Sequence, residues 1–167
     1  GKGNNVIYTG SFSKVLFPGL RIGWIIADQE LIYSLESLKR SRNIHTSTLD
    51  QALLHQFLLE GSFERTIKKA RKAYREKYEI AVKCAGEHIP CTQISGEGGL
   101  HIFIELDRRL NARSILEQCR SKEVVFTPGD IFFTDQGGAN TLRIGFSRVP
   151  LEDIPKGIKI IGEVVKE

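Results

Sequence analysis

Apolar positions follow two different periods along this chain, strand-like up to residue 27, helical from Asp28, and strand-like again after Pro90. Val6, Ile7 and Tyr8 form a short β-prone run ending at Thr9 and Gly10, and residues 21–27 form a second, nearly all apolar, as in a strand buried on both faces. Between them Gly10, Ser11, Ser13, Pro18 and Gly19 predict a loop whose hydroxyls and amides are free to face a ligand. From Asp28 the spacing turns helical. Leu31, Ile32, Leu35 and Leu38 share a face behind the Asp28 cap, and Lys39, Arg40 and Arg42 form the basic end. A second helix follows Ser47 or Thr48, with Leu49, Ala52, Leu53, Phe57 and Leu58 apolar and Gly61 as its stop. Ser62 is placed to cap the longest helix, which runs to about His88 on the stripe Ile67, Ala70, Tyr74, Tyr78, Ala81 and Ala85.

After Pro90 the pattern predicts short strands over 100–106, 124–127 and 141–146 and an amphipathic helix from Asn111 to about Ser121. A final helix from Pro150 or Leu151 to Val165 carries Ile154, Ile158, Ile161 and Val165 as its buried stripe. The long helix reads as a strut between an α/β part, residues 1–60, and an α+β part, residues 61–167.

Composition narrows the class. The chain has 167 residues, 41% hydrophobic, with no run near the roughly 18 apolar residues of a membrane span and no signal-peptide core in residues 1–5. A cytoplasmic protein with no membrane partner is expected. Cys84, Cys91 and Cys119 are odd in number and widely spaced, so they read as reduced thiols, and no metal site is expected. The net charge is +4, and the basic run from Lys68 to Lys83 is interleaved with Glu76, Glu79 and apolar residues, as on a solvated helix face.

Chemistry concentrates in residues 11–23, where Lys14 lies between the hydroxyls of Ser11 and Ser13 and seven residues ahead of Arg21. Lys14 offers an amine able to condense with an aldehyde, and a cationic or apolar setting would free a neutral fraction of it. Ser11, Ser13 and Arg21 offer neutral and charged donors to a phosphate, the planar guanidinium giving two parallel bonds. An ordinary turn with an exposed lysine is the alternative. Further on, Arg143 stands inside a strand otherwise suited to burial and needs an anionic partner, either a ligand or a structural carboxylate.

The stretch from Ser11 to Gly23 resembles the cofactor-lysine signature Ser-x-Ser-Lys-x6-Arg-x-Gly of fold-type I pyridoxal-phosphate aminotransferases, class I and II, and the likeness continues into residues 24–27. The resemblance implies the C-terminal portion of that fold: the end of the large-domain parallel sheet, a long connecting helix and a small α+β domain. It implies pyridoxal 5'-phosphate on Lys14, with Ser11, Ser13 and Arg21 on the phosphate and the α-carboxylate of an amino-acid substrate or effector on Arg143. The glycine loop 96–99 would border the substrate side, with Gly98, Gly99 and His101 as lesser candidates. Residues 126–129, followed by Phe132 and Phe133, look like the family's Pro-Gly turn. His45, His55 and His88 read as packing or surface residues.

Family members complete the site with upstream groups and across a homodimer interface, so this stretch alone is expected to be inactive. Two subgroups fit. One is free aminotransferases acting on 2-aminoadipate or aromatic amino acids. The other is regulators of the MocR type in the GntR class, which bind DNA only through a winged-helix domain absent from this chain. Leu16-Phe17-Pro18, Gly99-Leu100-His101 and the Gly145 after Leu142-Arg143-Ile144 look more like the regulators.

Overall fold

The protein is seen in a computed structural model that describes residues 6–167. It divides into two compact units, one extending to Lys69 and the other Ala70–Glu167.

In the first unit, strands β1 (Tyr8–Ser11) and β2 (Gly23–Ile26) pair antiparallel, Ser11 opposite Gly23 and Tyr8 opposite Ile26. The connection is too short for the crossover that a parallel pair requires, so this piece of sheet is a hairpin. Helix α1 (Gln29–Asn43) begins where the Asp28 carboxylate accepts from the Leu31 amide at 3.0 Å. Helix α2 (Thr48–Leu59) begins at Ser47, whose hydroxyl accepts from the Asp50 amide at 3.3 Å, and Gly61, at φ 65°, ends the turn after it.

Among the described residues of this unit only Leu20, Ile22 and Leu54 are buried, against Phe12 and Leu16. The strand expected to be buried on both faces is instead exposed along its length, with Trp24 at 39% and Ile26 at 62%. Among the described residues its single strand partner is β1, and a two-stranded ribbon offers no layer for those side chains. The apolar face of α1 is half-covered: Leu31, Ile32 and Leu35 are partly buried, Leu38 is exposed, and no residue of the helix is fully buried.

Helix α3 (Ser62–His88) keeps the expected limits, but Ser62 is its first residue and its hydroxyl accepts from the Arg65 guanidinium at 2.8 Å instead of capping. The predicted stripe closes at its C-terminal end, where Ala81, Cys84 and Ala85 are buried.

The second unit carries a four-stranded antiparallel sheet, order β3-β4-β6-β5, from β3 (Cys91–Ser95), β4 (His101–Leu106), β5 (Thr127–Pro128) and β6 (Thr141–Gly145). Ile102 and Ile104 stand opposite Ile144 and Leu142, so one face is apolar. That face is part of one core with the end of α3, helix α4 (Ala112–Ser121) and helix α5 (Ile154–Lys166). Asn111 caps α4 as its position predicts, accepting from the Arg113 amide at 2.9 Å and the Ser114 amide at 3.3 Å.

Residues 124–127, expected as a strand, are a correction: only Thr127 and Pro128 pair with β6. The Val124 amide is taken by the Cys119 carbonyl at 3.0 Å and Glu123 has φ 60°, so the chain is still closing α4 there. Among the described residues no helix is long and apolar enough to cross a membrane.

Candidate functional site

The two groups of candidate residues lie in different units, and each has its own geometry. In the first unit the Phe12 amide donates to the Ile22 carbonyl at 3.0 Å and the Leu16 amide to the Phe12 carbonyl at 2.8 Å. This clamp brings Ser11 and Ser13, on either side of Phe12, to the neck of the loop beside Arg21, which precedes Ile22. Lys14 stands in the turn between. Arg21 adopts a left-handed conformation at φ 50°, its amide 3.4 Å and its guanidinium 3.5 Å from the Pro18 carbonyl oxygen. A bulky non-glycine residue in that region is an uncommon conformation that the surrounding turn must hold.

The side-chain donors of this loop meet no carboxylate among the described residues. The Ser11 Oγ accepts from the Ser13 amide at 3.2 Å and keeps its own proton to donate. Neither Lys14 nor Arg21 makes an ion pair among the described residues, and no carboxylate occurs between Ser11 and Ala27. Two hydroxyls, a guanidinium and an amine on one clamped loop form a donor set fitted to a phosphorylated aldehyde.

In the second unit Arg143 sits on the sheet face opposite the core. Cross-strand neighbours share a face, and the row through it runs Ser95, Phe103, Arg143, Thr127. The Arg143 Nε is buried with no hydrogen-bond partner, and Arg143 forms no ion pair among the described residues. The structural salt bridge that could have accounted for a strand arginine is therefore absent. Its Cζ lies 4.6 Å from the centre of the Phe132 ring, and Phe132 meets Phe103 edge-on at 6.2 Å.

Phe132 was legible in the sequence only as part of the Pro-Gly turn. Its stacking depends on a strand register that no local pattern reveals. The turn itself is held closely: a Cβ on Gly129 would strike the Thr141 side chain and stand 2.9 Å from Phe103. Gly98 and Gly99 lie between β3 and β4, Gly99 at φ 84°, and His101 opens β4 opposite Gly145.

Against this geometry the comparisons are specific. The family model "Aminotransferase class I and II" matches residues 1–161. The 2-aminoadipate transaminase of Thermus thermophilus is 36% identical over 163 residues, 96% of this chain and 41% of that protein. The solved structure of the α-aminoadipate aminotransferase LysN from Thermus thermophilus, complexed with N-(5'-phosphopyridoxyl)-L-leucine, superposes with a TM-score of 0.89 at 34% identity, covering 98% of this chain and 42% of that one. An uncharacterised HTH-type transcriptional regulator of Bacillus subtilis is 29% identical over 168 residues, 99% of this chain and 34% of the regulator.

The chain belongs to the class I and II aminotransferase family and has one end of that fold, spanning less than half the length of these relatives. The family implies pyridoxal phosphate as its cofactor.

Proposed function

We propose that this chain is the cofactor-lysine loop and small domain of a pyridoxal-phosphate protein that recognises an amino acid, and that the parent is a regulator of the MocR type. The observation that carries the amino-acid reading is Arg143: a cation with a buried, unpartnered Nε on an open sheet face suits an incoming carboxylate. In this reading Lys14 Nζ is the attachment point for the cofactor's aldehyde. The Ser11 and Ser13 hydroxyls donate to phosphate oxygens, and the Arg21 guanidinium neutralises them. When bound, the cofactor supplies an electron sink next to the amino acid's α-carbon.

The regulatory assignment rests on Leu16-Phe17-Pro18, Gly99-Leu100-His101 and Gly145 after Leu142-Arg143-Ile144, and HTH-type regulators match nearly the whole chain. Docking of an effector carboxylate on Arg143 then shifts the balance between two conformations and alters DNA affinity through a separate helix-turn-helix domain. The exposed apolar strand and helix faces of the first unit suit burial by the rest of a large domain and by a homodimer partner.

A second reading has its own support: the aminotransferases reach 36% identity against 29% for the regulator. There Lys14 Nζ, once released from the cofactor, moves the α-proton as a general base and the parent is an enzyme. One experiment separates them. The full-length protein, reconstituted with cofactor, is assayed for transamination of 2-aminoadipate and aromatic amino acids and for a change in promoter-DNA retardation on adding them. A change in DNA binding without turnover supports the regulator; turnover with no DNA binding replaces it by the enzyme.

A further inference from the structure

A chain of contacts that the reading above leaves unused runs from α4 to Arg143. Arg113, in the first turn of α4, places its Nε 2.6 Å from Asp130 Oδ2, seventeen residues away. Asp130 belongs to the short helical turn Gly129–Phe132, and its carbonyl accepts from the Phe133 amide at 3.2 Å. Gly129 is wedged against Thr141 and Phe103 on the other side. The turn is thus pinned at its start by close packing and at Asp130 by a charged bond to α4. The residue it delivers is Phe132, whose ring lies under the Arg143 guanidinium and edge-on to Phe103.

We infer that Phe132 is a positioning residue for Arg143, and that the Arg113–Asp130 pair sets it in place. Among the described residues the guanidinium has no carboxylate to orient it, and its buried Nε makes no hydrogen bond. A long side chain so placed would sample several rotamers, each pointing its fork in a different direction. Stacking on a ring selects the rotamers that keep the guanidinium plane over Phe132, leaving the outer N–H groups for a ligand. Arg113 and Asp130 do not touch the ligand in this scheme. They fix the turn, the turn fixes the ring, and the ring fixes the fork. The site would in this way distinguish an amino acid from the amine that lacks the carboxylate.

This inference rests on the assignment of a carboxylate to Arg143, and the test keeps the two separable. Full-length protein reconstituted with pyridoxal phosphate is titrated spectroscopically with two pairs of probes, L-phenylalanine with 2-phenylethylamine and L-leucine with 3-methylbutylamine. The ratio of dissociation constants, amine over amino acid, is read for wild type, Arg143→Gln, Phe132→Leu, Asp130→Asn and Arg113→Lys, with the thermal midpoint of each. The ratio is expected to collapse in Arg143→Gln and to fall about 3- to 30-fold in Phe132→Leu. It should fall less in Asp130→Asn and recover most of its value in Arg113→Lys, which keeps the charge. A merely structural role would lower the midpoint and weaken both probes alike, leaving the ratio unchanged. If Arg143→Gln collapses the ratio and Phe132→Leu and Asp130→Asn leave it at the wild-type value, the positioning role is overturned and the carboxylate assignment survives. A wild type that discriminates in neither pair, or an Arg143→Gln ratio equal to wild type, overturns both.

Discussion

Replacing Arg143 by methionine separates a ligand-binding arginine from a structural one, because the two make opposite demands on stability. Methionine keeps an unbranched stem and removes the guanidinium. A structural partner left behind as an unpaired buried carboxylate would cost about 3–5 kcal/mol. No such partner exists among the described residues. What is lost is the contact with Phe132, at 4.6 Å from the ring centre, worth about 0.5–1 kcal/mol at a partly open site. What is relieved is the burial of an Nε with no hydrogen bond, a penalty of about 1–3 kcal/mol. The balance runs from about zero to about 2.5 kcal/mol in favour of the variant, so Arg143→Met should be at least as stable in urea as wild type. Its affinity for an amino acid should fall by about 3 kcal/mol or more, roughly 100-fold in Kd, as two charged bonds to a carboxylate disappear. Chemical unfolding of the full-length protein and a spectroscopic amino-acid titration read the two quantities. A loss of about 3 kcal/mol or more in stability, with affinity retained, would make Arg143 a structural residue and not the carboxylate site.

Three further outcomes follow from the second unit. A Cβ on Gly162 would collide with the His88 carbonyl oxygen and stand 2.7 Å from its carbon, both backbone atoms that cannot rotate aside, so Gly162→Ala should destabilise by about 1–3 kcal/mol in urea unfolding. Asp107, bonded by the Arg109 side chain and amide, is held down to about 2, below its unfolded value. The stabilisation is therefore present above the unfolded value and is lost as pH falls toward about 2, and Arg109→Gln should move the Asp107 carboxyl titration, followed by NMR, upward. Burial pushes the Cys84, Cys91 and Cys119 thiols above their ordinary value, Glu87 adding to the effect at Cys84. Iodoacetamide should accordingly label them slowly in the native protein and quickly in urea, and rapid native labelling at all three would contradict the packing described.

The helices were the legible part of this fold because each has a local signature. Asp28 caps as its side chain predicts, Ser47 is the cap of the two starts that the spacing offered, the helix read from Asn111 begins there, and the stripe from Ile67 to Ala85 defines α3 although Ser62 does not cap it. Strands depend on partners, and there the pattern misled. β3 went unread because only Cys91 and Ile94 of its five residues turn partly inward, and its register shifts between Cys91 and Gln93. The apolar run of β2 signals burial, but the cover it calls for is not supplied within the first unit. In α2 the buried residue is Leu54, a neighbour of the Leu53 that the apolar spacing favoured. The same division holds for the site. Ser11, Ser13, Lys14 and Arg21 lie within one short segment and could be read together, and Arg143 stood out as a charge in an apolar strand. Phe132, Asp130 and Arg113 are joined to it only by sheet register and by a bond spanning seventeen residues, neither of which leaves a trace in local spacing.

Covalent trapping shows whether Lys14 carries the cofactor. The full-length protein is incubated with pyridoxal phosphate, reduced with borohydride, digested and mapped by mass spectrometry, with Lys14→Ala alongside. A single phosphopyridoxyl label is expected on Lys14, and none in the variant. A label spread over exposed lysines such as Lys68 and Lys72, or one that persists unchanged in Lys14→Ala, would contradict it.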